Sequence, residues 1–261
     1  MQIKGPAKEV YQKLLKEAQS DPNILGFVLE GSRGKGLGTS HSDYDIHIIV
    51  KDDSASEYEE KLSPYDNRAD FDLTIMDLSD FREYALFGTD SWGYAYEFAY
   101  VKDLLNKTGG EIQQLIDEKS RIPEEVVFDF IYQALDGYVN SVFRSLKAHR
   151  DRNMVGYRLE AASSINPLLY AMFAIHDRRV APYHKYLEWE LVERPLSKFV
   201  WGSEELIRLL LSILETGDYK AQQYILREVE KVFRKEGYGQ MFDEWEGDDK
   251  WAMNYKPTPD V

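Results

Sequence analysis

The spacing of apolar residues changes near residue 120, and this change constrains the fold more than any other feature of the sequence. Before it, the apolar runs Ile24–Leu29 and Tyr44–Val50 have the length of buried strands, and residues 70–78 alternate between apolar and polar side chains. After it, apolar residues recur at helical spacing along most of the chain. We therefore predict an α+β protein with an α/β domain and a helical bundle, over residues 1–120 and 121–261.

Helical spacing also predicts where the individual helices lie. In the first part we predict helices over residues 6–19, 79–86 and 111–119, the second of them capped by Ser79. In the second part the predicted helices cover residues 123–150, 154–177, 183–192, 203–215 and 218–235, with a kink or break at Pro167. The acidic residues between 52 and 60 favour a solvated loop. From Gly237 onward we expect a tail that drapes over the surface or docks loosely.

The chain is strongly acidic and contains no cysteine. Its 46 Asp and Glu against 32 Lys and Arg give a formal net charge of −14. Such a surface repels phosphate backbones, so we expect no extended nucleic acid as a partner, whereas a metal-shielded nucleotide or a cationic small molecule fits the charge. The absence of cysteine excludes disulfides, thiolate metal sites and thiol nucleophiles. We find neither a targeting segment nor an apolar run long enough to span a membrane, and we expect a cytoplasmic protein.

A glycine-rich stretch follows the first apolar run and has the character of a phosphate-binding turn. The run is followed by Gly31-Ser32, and three more glycines occur by residue 38. Glycine allows a close backbone approach, and amides at a helix start hold phosphate groups. The Ser32 hydroxyl adds a donor, and Arg33 and Lys35 supply positive charge nearby. Two interpretations of Arg33 stay open: contact with a triphosphate, and pairing with a surface acid.

Carboxylates on two predicted strands form a candidate metal site. Asp43 and Asp45 are two residues apart, so a strand directs both side chains to one side. Two carboxylates so placed repel each other unless a cation lies between them, and Mg²⁺ is the natural occupant. Asp72, with Asp70 on the same face of its strand, offers a third carboxylate. Taken alone, the Asp43 and Asp45 pair is also compatible with a helix cap or a turn.

Two further side chains lie beside these carboxylates in the sequence. Ser42 directly precedes Asp43, and we predict that it shapes the turn, with direct ligand contact as the alternative. His47 lies two residues past Asp45, where we favour packing within the sheet over catalysis. A phosphate turn, an Asp-x-Asp pair and a distant Asp suit nucleotidyl transfer, because metal ions neutralise a triphosphate and a carboxylate takes the proton of the attacking hydroxyl.

The motifs Gly31-Ser32, Asp43-x-Asp45 and Asp72 within the run 71–76 together resemble the DNA polymerase β-like nucleotidyltransferase superfamily. Within it the chain looks most like the bacterial aminoglycoside and lincosamide nucleotidyltransferases. The resemblance implies a small mixed β-sheet nucleotidyltransferase domain followed by a C-terminal α-helical bundle. It further implies that Gly31 and Ser32 hold the β- and γ-phosphates and that Asp43, Asp45 and Asp72 bind Mg²⁺ and carry catalysis. Arg33 and Ser42 are further candidates for contact with the nucleotide.

The reaction implied by the resemblance is transfer of a nucleoside monophosphate, AMP from ATP, to a hydroxyl of a small acceptor. An aminoglycoside-like antibiotic fits the acidic charge, which would make the protein an antibiotic-resistance enzyme. Asp72 is the preferred general base, with Asp70 and Glu160 as alternatives. Relatives often form homodimers, so a homodimer is expected here as well. The alternative functions are a nucleotide-binding regulatory or antitoxin-type module and a protein AMP-transferase with the same fold.

A second motif lies in the predicted bundle. Arg144 and His149 have the Arg-x4-His spacing of ribonucleases built on helical bundles that often accompany this fold. One Arg and one His at this spacing also occur by chance, and Arg150 and Arg152 flank them. We therefore favour a solvated basic face over ribonuclease activity.

Overall fold

The computed structural model describes residues 3–245 and 247–257, apart from the side chains of residues 248 and 249. It divides into two compact units, Met1–Pro123 and Glu124–Val261. The division predicted from the sequence lies after residue 120. Each unit has its own hydrophobic core.

The first unit is built on a four-stranded mixed sheet. The strands β1 (Ile24–Leu29), β2 (Tyr44–Val50), β3 (Phe71–Asp77) and β4 (Asp103–Asn106) lie in the order β3-β2-β1-β4. Strands β2 and β3 pair in parallel, whereas β1 is antiparallel to both of its neighbours. The end of β1 and the starts of β2 and β3 therefore meet at one edge of the sheet. The predicted mixed sheet is confirmed.

Five α-helices and one 3₁₀ helix accompany this sheet among the described residues. They are α1 (Ala7–Ser20), α2 (Gly31–Gly34), α3 (Ala55–Asp66), α4 (Leu78–Glu83), the 3₁₀ helix Trp92–Phe98 and α5 (Glu111–Lys119). The solvated loop predicted between residues 52 and 60 is wrong, because α3 covers most of it. Tyr58, Leu62 and Tyr65 recur at helical spacing and are buried, and their burial outweighs the acidic residues between them.

The start of α4 also differs from the prediction. Asp77, not Ser79, occupies the residue before the helix, and its side chain makes no cap to α4. Instead the Asp77 carboxylate accepts hydrogen bonds from the amides of Asp53, Ser54 and Ala55 at 3.1, 3.0 and 2.8 Å. Asp77 thus fixes the start of α3, and the end of β3 is tied to the helix beside it.

The sheet has a hydrophobic cluster on each face. On one face, buried residues of β2 and Phe71 of β3 pack against α1 and α3, with Ile46 and Ile48 fully enclosed. On the other face, Val28 and Ile49 pack against α4, the 3₁₀ helix and α5 through Phe81, Phe98 and Ile112. Alternation along the strands separates the two sets.

The second unit consists of helices. They are α6 (Val127–Arg150), α7 (Met154–Ser163), α8 (Ile165–Ala174), the 3₁₀ helix His184–Tyr186, α9 (Leu187–Glu193), α10 (Ser203–Thr216), α11 (Tyr219–Lys235), α12 (Gly239–Glu244) and α13 (Asp248–Asn254). The predicted helix over 154–177 is broken at Ser164, close to Pro167. Between α10 and α11, Gly217 adopts a φ of +77° and Asp218 caps the next helix at the amides of Lys220 and Ala221.

The C-terminal tail does not drape loosely, so this prediction is wrong. It forms α12 and α13, which pack against α6 and α11. Met241, Phe242 and Ala252 are fully enclosed there, and burial of these apolar side chains holds the tail in place. The same prediction also covered residues 246 and 258–261, which lie outside the described residues.

None of the helices in the described part of the chain combines the length and the apolar character that a membrane span requires.

Candidate active site

Strand pairing places Asp45 and Asp72 side by side. In the parallel pair of β2 and β3, these two residues are direct partners. Directly paired residues point to the same face of a sheet, and neighbouring strands lie about 4.8 Å apart. Asp45 is half-buried and Asp72 is exposed. Asp43 is also exposed and lies immediately before β2, so the carboxylates predicted to bind metal occur at one edge of the sheet.

Gly31 lies directly against the Asp45 carboxylate. Its φ is +56°, and a Cβ added to it would lie 1.7 Å from Oδ2 of Asp45. A side chain at this position would therefore collide with the carboxylate as well as strain the backbone. The glycine brings the turn that contains Ser32 into contact with the Asp45 side chain, as the predicted phosphate turn requires.

Arg33 holds the loop that leads into β2. Its Nε donates to the carbonyl oxygens of Ser42 at 3.1 Å and Asp43 at 2.9 Å, and its Nη2 donates to those of Ser42 at 2.6 Å and Thr39 at 3.2 Å. The guanidinium also lies 4.2 Å above the centre of the Tyr44 ring. These contacts pair Arg33 with backbone carbonyl oxygens and fix the backbone that carries Asp43.

Ser42 has a similar local role. Its Oγ accepts a hydrogen bond from the amide of Thr39 at 2.9 Å and lies 3.4 Å from the Thr39 hydroxyl. The hydroxyl is thus engaged within the turn, which agrees with the first of the two interpretations of Ser42.

Lys35 points into the first unit rather than toward a ligand. Its Nζ donates to the carbonyl oxygens of Tyr96 at 3.0 Å, Glu97 at 3.0 Å and Ala99 at 2.6 Å. The side chain is buried, so its charge does not lie in the phosphate turn as the sequence suggested. Its effect is to fasten the glycine-rich loop to the 3₁₀ helix and the residue that follows it.

The alternative carboxylate Asp70 is held in an ion pair. Arg68 donates to its Oδ1 from Nε at 2.8 Å and to its Oδ2 from Nη2 at 2.6 Å. The hydrogen bond and the charge of the guanidinium lower the pKa of Asp70. Arg68 also donates to the carbonyl oxygens of Ile3 and Gly5 at 2.7 and 3.1 Å. Asp70 therefore helps to anchor the N-terminal segment, while Asp72 is the residue paired with Asp45.

The remaining candidates lie in the second unit. Glu160 lies 3.2 Å from Nε of Arg144, so these two are partners in an ion pair. His149 is engaged elsewhere, with Nδ1 2.7 Å from the Tyr255 hydroxyl and its ring against that of Tyr157. Arg144 and His149 thus have different partners in the helical unit.

Sequence reasoning missed a buried group of ionisable residues on the same face as Asp45. Glu30 and His47 are 2% and 3% exposed, and Oε1 of Glu30 lies 2.9 Å from Nδ1 of His47. Glu97 of the 3₁₀ helix completes the group, with one ligand atom of each residue within 4.8 Å of the others. The signal in the sequence was the presence of Glu30 and His47 in otherwise apolar runs, at positions that alternation places on the Asp45 side.

Two members of this group, Glu97 and His47, have shifted pKa values. Burial, then the negative charges of Glu30 and Asp45, raise the pKa of Glu97 to about 7. Burial opposes a charge on His47, but the Glu30 carboxylate outweighs it and raises the pKa of the imidazole. Clusters of shifted pKa values are typical of functional sites.

Comparison with known proteins matches the part of the chain that contains this sheet to a protein family. Residues 11–132 match the family model described as a nucleotidyltransferase domain. A search of curated proteins finds no match to the chain. Among solved structures, the chain is similar to a nucleotidyltransferase-like protein from Exiguobacterium sibiricum 255-15, with 10% identity, a TM-score of 0.42 and coverage of 95% of this chain and 78% of the other. The chain thus contains a segment, residues 11–132, that matches a nucleotidyltransferase domain, and this match supports nucleotidyl transfer as its general activity.

Proposed function

We propose that this protein is an Mg²⁺-dependent nucleotidyltransferase that transfers AMP from ATP to a hydroxyl of a small acceptor. The observation that carries the proposal is the direct pairing of Asp45 with Asp72 beside Gly31, whose missing side chain makes room for the Asp45 carboxylate. A phosphate turn and a set of carboxylates in one place are what metal-assisted phosphoryl chemistry needs.

The residues present fit a magnesium ion. Asp43, Asp45 and Asp72 supply only carboxylate oxygens, the ligands that Mg²⁺ prefers. The ion, when bound, neutralises the triphosphate and helps to align it. Arg33 contributes by holding the carbonyl oxygens of Ser42 and Asp43, which sets the course of the backbone into β2.

In the proposed reaction, the acceptor oxygen forms a bond to the α-phosphorus of ATP while the bond from that phosphorus to the bridging oxygen breaks. Pyrophosphate leaves with the electron pair of the broken bond, and the proton of the acceptor hydroxyl goes to a carboxylate. Asp72 is the best placed of the three candidate bases. Asp70 and Glu160 are engaged in ion pairs with Arg68 and Arg144.

The net charge of −14 favours a cationic acceptor, and an aminoglycoside-like antibiotic is the acceptor class that we propose. Such molecules carry several ammonium groups beside their hydroxyls. Resistance to an antibiotic of this class is the biological role that follows from the proposal.

Pyrophosphate release tests the activity directly. The protein is incubated with Mg²⁺, each of the four NTPs in turn and a panel of aminoglycosides and other polyhydroxylated amines, and labelled product is identified by mass. We expect acceptor-dependent pyrophosphate release with ATP. ATP binding without pyrophosphate release for any acceptor would contradict transfer to these acceptors and favour a nucleotide-binding module.

A pair of variants on one strand tests the site. We expect Asp72→Asn to lower kcat by more than about 100-fold, because it removes a carboxylate from the metal and proton-accepting positions. Asp70→Asn is the matched control, since it makes the same chemical change two residues away in an ion pair, and we expect it to change kcat by less than about threefold. Equal losses in the two variants would contradict the assignment of Asp72.

A further inference from the structure

The buried group of Glu30, His47 and Glu97 has no role in the proposed transfer. Glu30 follows β1, His47 lies within β2, and Glu97 belongs to the 3₁₀ helix Trp92–Phe98 that packs on this face of the sheet. These three elements are distant in sequence, yet one carboxylate or imidazole atom from each residue lies within 4.8 Å of the other two.

The polar atoms of this group are poorly satisfied by the protein itself. Oε1 of Glu30 lies 2.9 Å from Nδ1 of His47, an ion-pair contact when the imidazole is protonated. Neither Oε1 of Glu30 nor Nε2 of His47 has a hydrogen-bond partner among the described residues, and both atoms are buried. Such groups are rare in proteins and carry a substantial desolvation cost, which a bound cation would offset for the carboxylate.

We propose that Glu30, His47 and Glu97 bind a divalent transition-metal ion such as Zn²⁺ or Mn²⁺. One imidazole and two carboxylates form a common ligand set for these ions. Two ionised carboxylates and a neutral imidazole balance the charge of a dication. Metal–ligand distances of about 2.0–2.2 Å place neighbouring ligand atoms about 3–3.5 Å apart, so small side-chain rotations bring all three atoms onto one ion.

The surroundings favour this ion over a second Mg²⁺. The rings of Phe81, Tyr84 and Phe98 lie 6.3, 5.4 and 5.6 Å from the His47 ring and limit the access of water. Mg²⁺ gives up its water ligands reluctantly and prefers oxygen, whereas Zn²⁺ accepts imidazole and a low coordination number. The Tyr84 hydroxyl donates to Oε2 of Glu97 at 3.5 Å, a weak contact that orients a carboxylate oxygen.

The charges near the group are compatible with a cation. Asp45 and Asp72 add negative charge on the same side of the sheet. His47 and Lys35 both act on Glu97 as cations, and the ammonium group of Lys35 is engaged by three backbone carbonyl oxygens. A metal ion here would join the start of the phosphate turn, strand β2 and the 3₁₀ helix.

Metal binding by the full chain tests the proposal without any use of activity. The protein is stripped with EDTA, dialysed and titrated with Co²⁺ in excess Mg²⁺, which occupies the all-oxygen aspartate site. We expect one Co²⁺ per chain, with visible d–d absorption and a rise in Tm. Glu97→Gln and His47→Gln should each weaken Co²⁺ binding by at least about 10–100-fold. Asp72→Asn and His184→Gln, the latter a histidine variant in the helical unit, should bind Co²⁺ like the wild type.

X-ray absorption of the Zn²⁺-loaded wild type identifies the metal ligands directly. It therefore tests the proposal even if a variant fails to fold. We expect one imidazole and a remainder of oxygen ligands around the metal. An oxygen-only shell, the absence of stoichiometric Co²⁺ binding, or Co²⁺ binding that is lost in Asp72→Asn and kept in Glu97→Gln would overturn the proposal. Each of these readouts is independent of nucleotidyl transfer, so the proposed function stands or fails separately.

Discussion

The two faces of the sheet in the first unit bury very different side chains. The face toward α1 and α3 encloses a cluster in which aromatic and aliphatic residues pack together, with Ile46 and Ile48 no more than 1% exposed. The buried acidic, basic and histidine side chains described in this unit are associated with the other face: Glu30, Lys35, His47 and Lys119. The sheet thus separates a face built for packing from a face that also contains costly polar groups.

This difference between the two faces indicates which one holds the proposed site. Removing an ionisable group from water is expensive unless it is paired, hydrogen-bonded or bound to a metal. On the polar face Lys35 is satisfied by three carbonyl oxygens, whereas Oε1 of Glu30 and Nε2 of His47 have no hydrogen-bond partner in the described part of the chain. The same face carries Asp45 and Asp72. We therefore expect substitutions in the core of the first face to change stability, and substitutions at Asp45, Asp72 and the residues that hold them to change activity.

The largest expected effect is a loss of stability on the face that packs against α1 and α3, which we call the packing face. Ile48 is fully buried, and Ile48→Ala removes three carbon atoms from the core, which should lower the free energy of unfolding by about 2–5 kcal/mol. Urea unfolding measures this loss. Below the unfolding transition, kcat for pyrophosphate release should stay within about twofold of the wild type. A large drop in kcat in the folded variant would break the division between the faces.

The second largest expected effect is a difference in kcat/KM between alanine variants of two glycines in one loop. Gly31→Ala and Gly36→Ala both place a side chain at a positive φ, +56° and +77°, and should share a similar backbone strain. Only at Gly31 does the new Cβ meet Asp45, since no described atom lies within 4 Å of a Cβ at Gly36. We expect kcat/KM to fall about 100-fold in Gly31→Ala, because the change displaces a carboxylate of the proposed metal site. Equal kcat/KM values for the two variants would contradict the role of this contact.

A smaller expected effect is a change in the Mg²⁺ dependence of activity, which separates the contribution of the Arg33 geometry from that of its charge. Lysine keeps the charge but cannot reproduce the fork that binds the carbonyl oxygens of Thr39, Ser42 and Asp43. We expect Arg33→Lys to raise the Mg²⁺ concentration needed for half-maximal activity by about tenfold. If Arg33→Lys behaves like the wild type while Arg33→Met is inactive, the charge matters and the loop geometry does not.

Much of the fold follows from local sequence signals. The bounds predicted for β1 and β2 agree with the structure, because β1 is an uninterrupted apolar run, β2 is apolar apart from Asp45 and His47, and polar residues flank both strands. Helix α3 was missed because its many acidic residues hid the spacing of Tyr58, Leu62 and Tyr65. The short helices of the tail were missed for the opposite reason: their few buried residues form no long periodic pattern, and tertiary packing stabilises them.

The candidate site was only partly predictable. The residue types and spacing around Asp43 and Asp45 indicate a metal site, but the pairing of Asp45 with Asp72 depends on a strand register that the sequence does not encode locally. The roles of Arg33 and Lys35 could not be inferred, because basic side chains near glycines suggest phosphate binding and only the structure shows their carbonyl partners. Glu97 joins Glu30 and His47 through packing of the 3₁₀ helix on the sheet, a contact between segments far apart in the chain.

The smallest expected effect is a gain of stability on the polar face. Lys119 is 1% exposed, its Nζ donates to the carbonyl oxygen of Arg82 at 3.2 Å, and it lies 5.0 Å from the centre of the Phe81 ring. Burial lowers the pKa of Lys119 to about 8. Between pH 8 and about 10.4 the unfolded chain therefore binds more protons than the folded chain, so the contribution of Lys119 to stability rises with pH through this window and is least favourable below it.

Lys119→Met removes the buried charge and should raise the free energy of unfolding at pH 7 by about 1 kcal/mol, with the gain shrinking toward pH 10. Urea unfolding at both pH values measures this change, with the exposed Lys102→Met as control, and a loss of stability at pH 7 would show that the contacts of the ammonium group outweigh the cost of burying it.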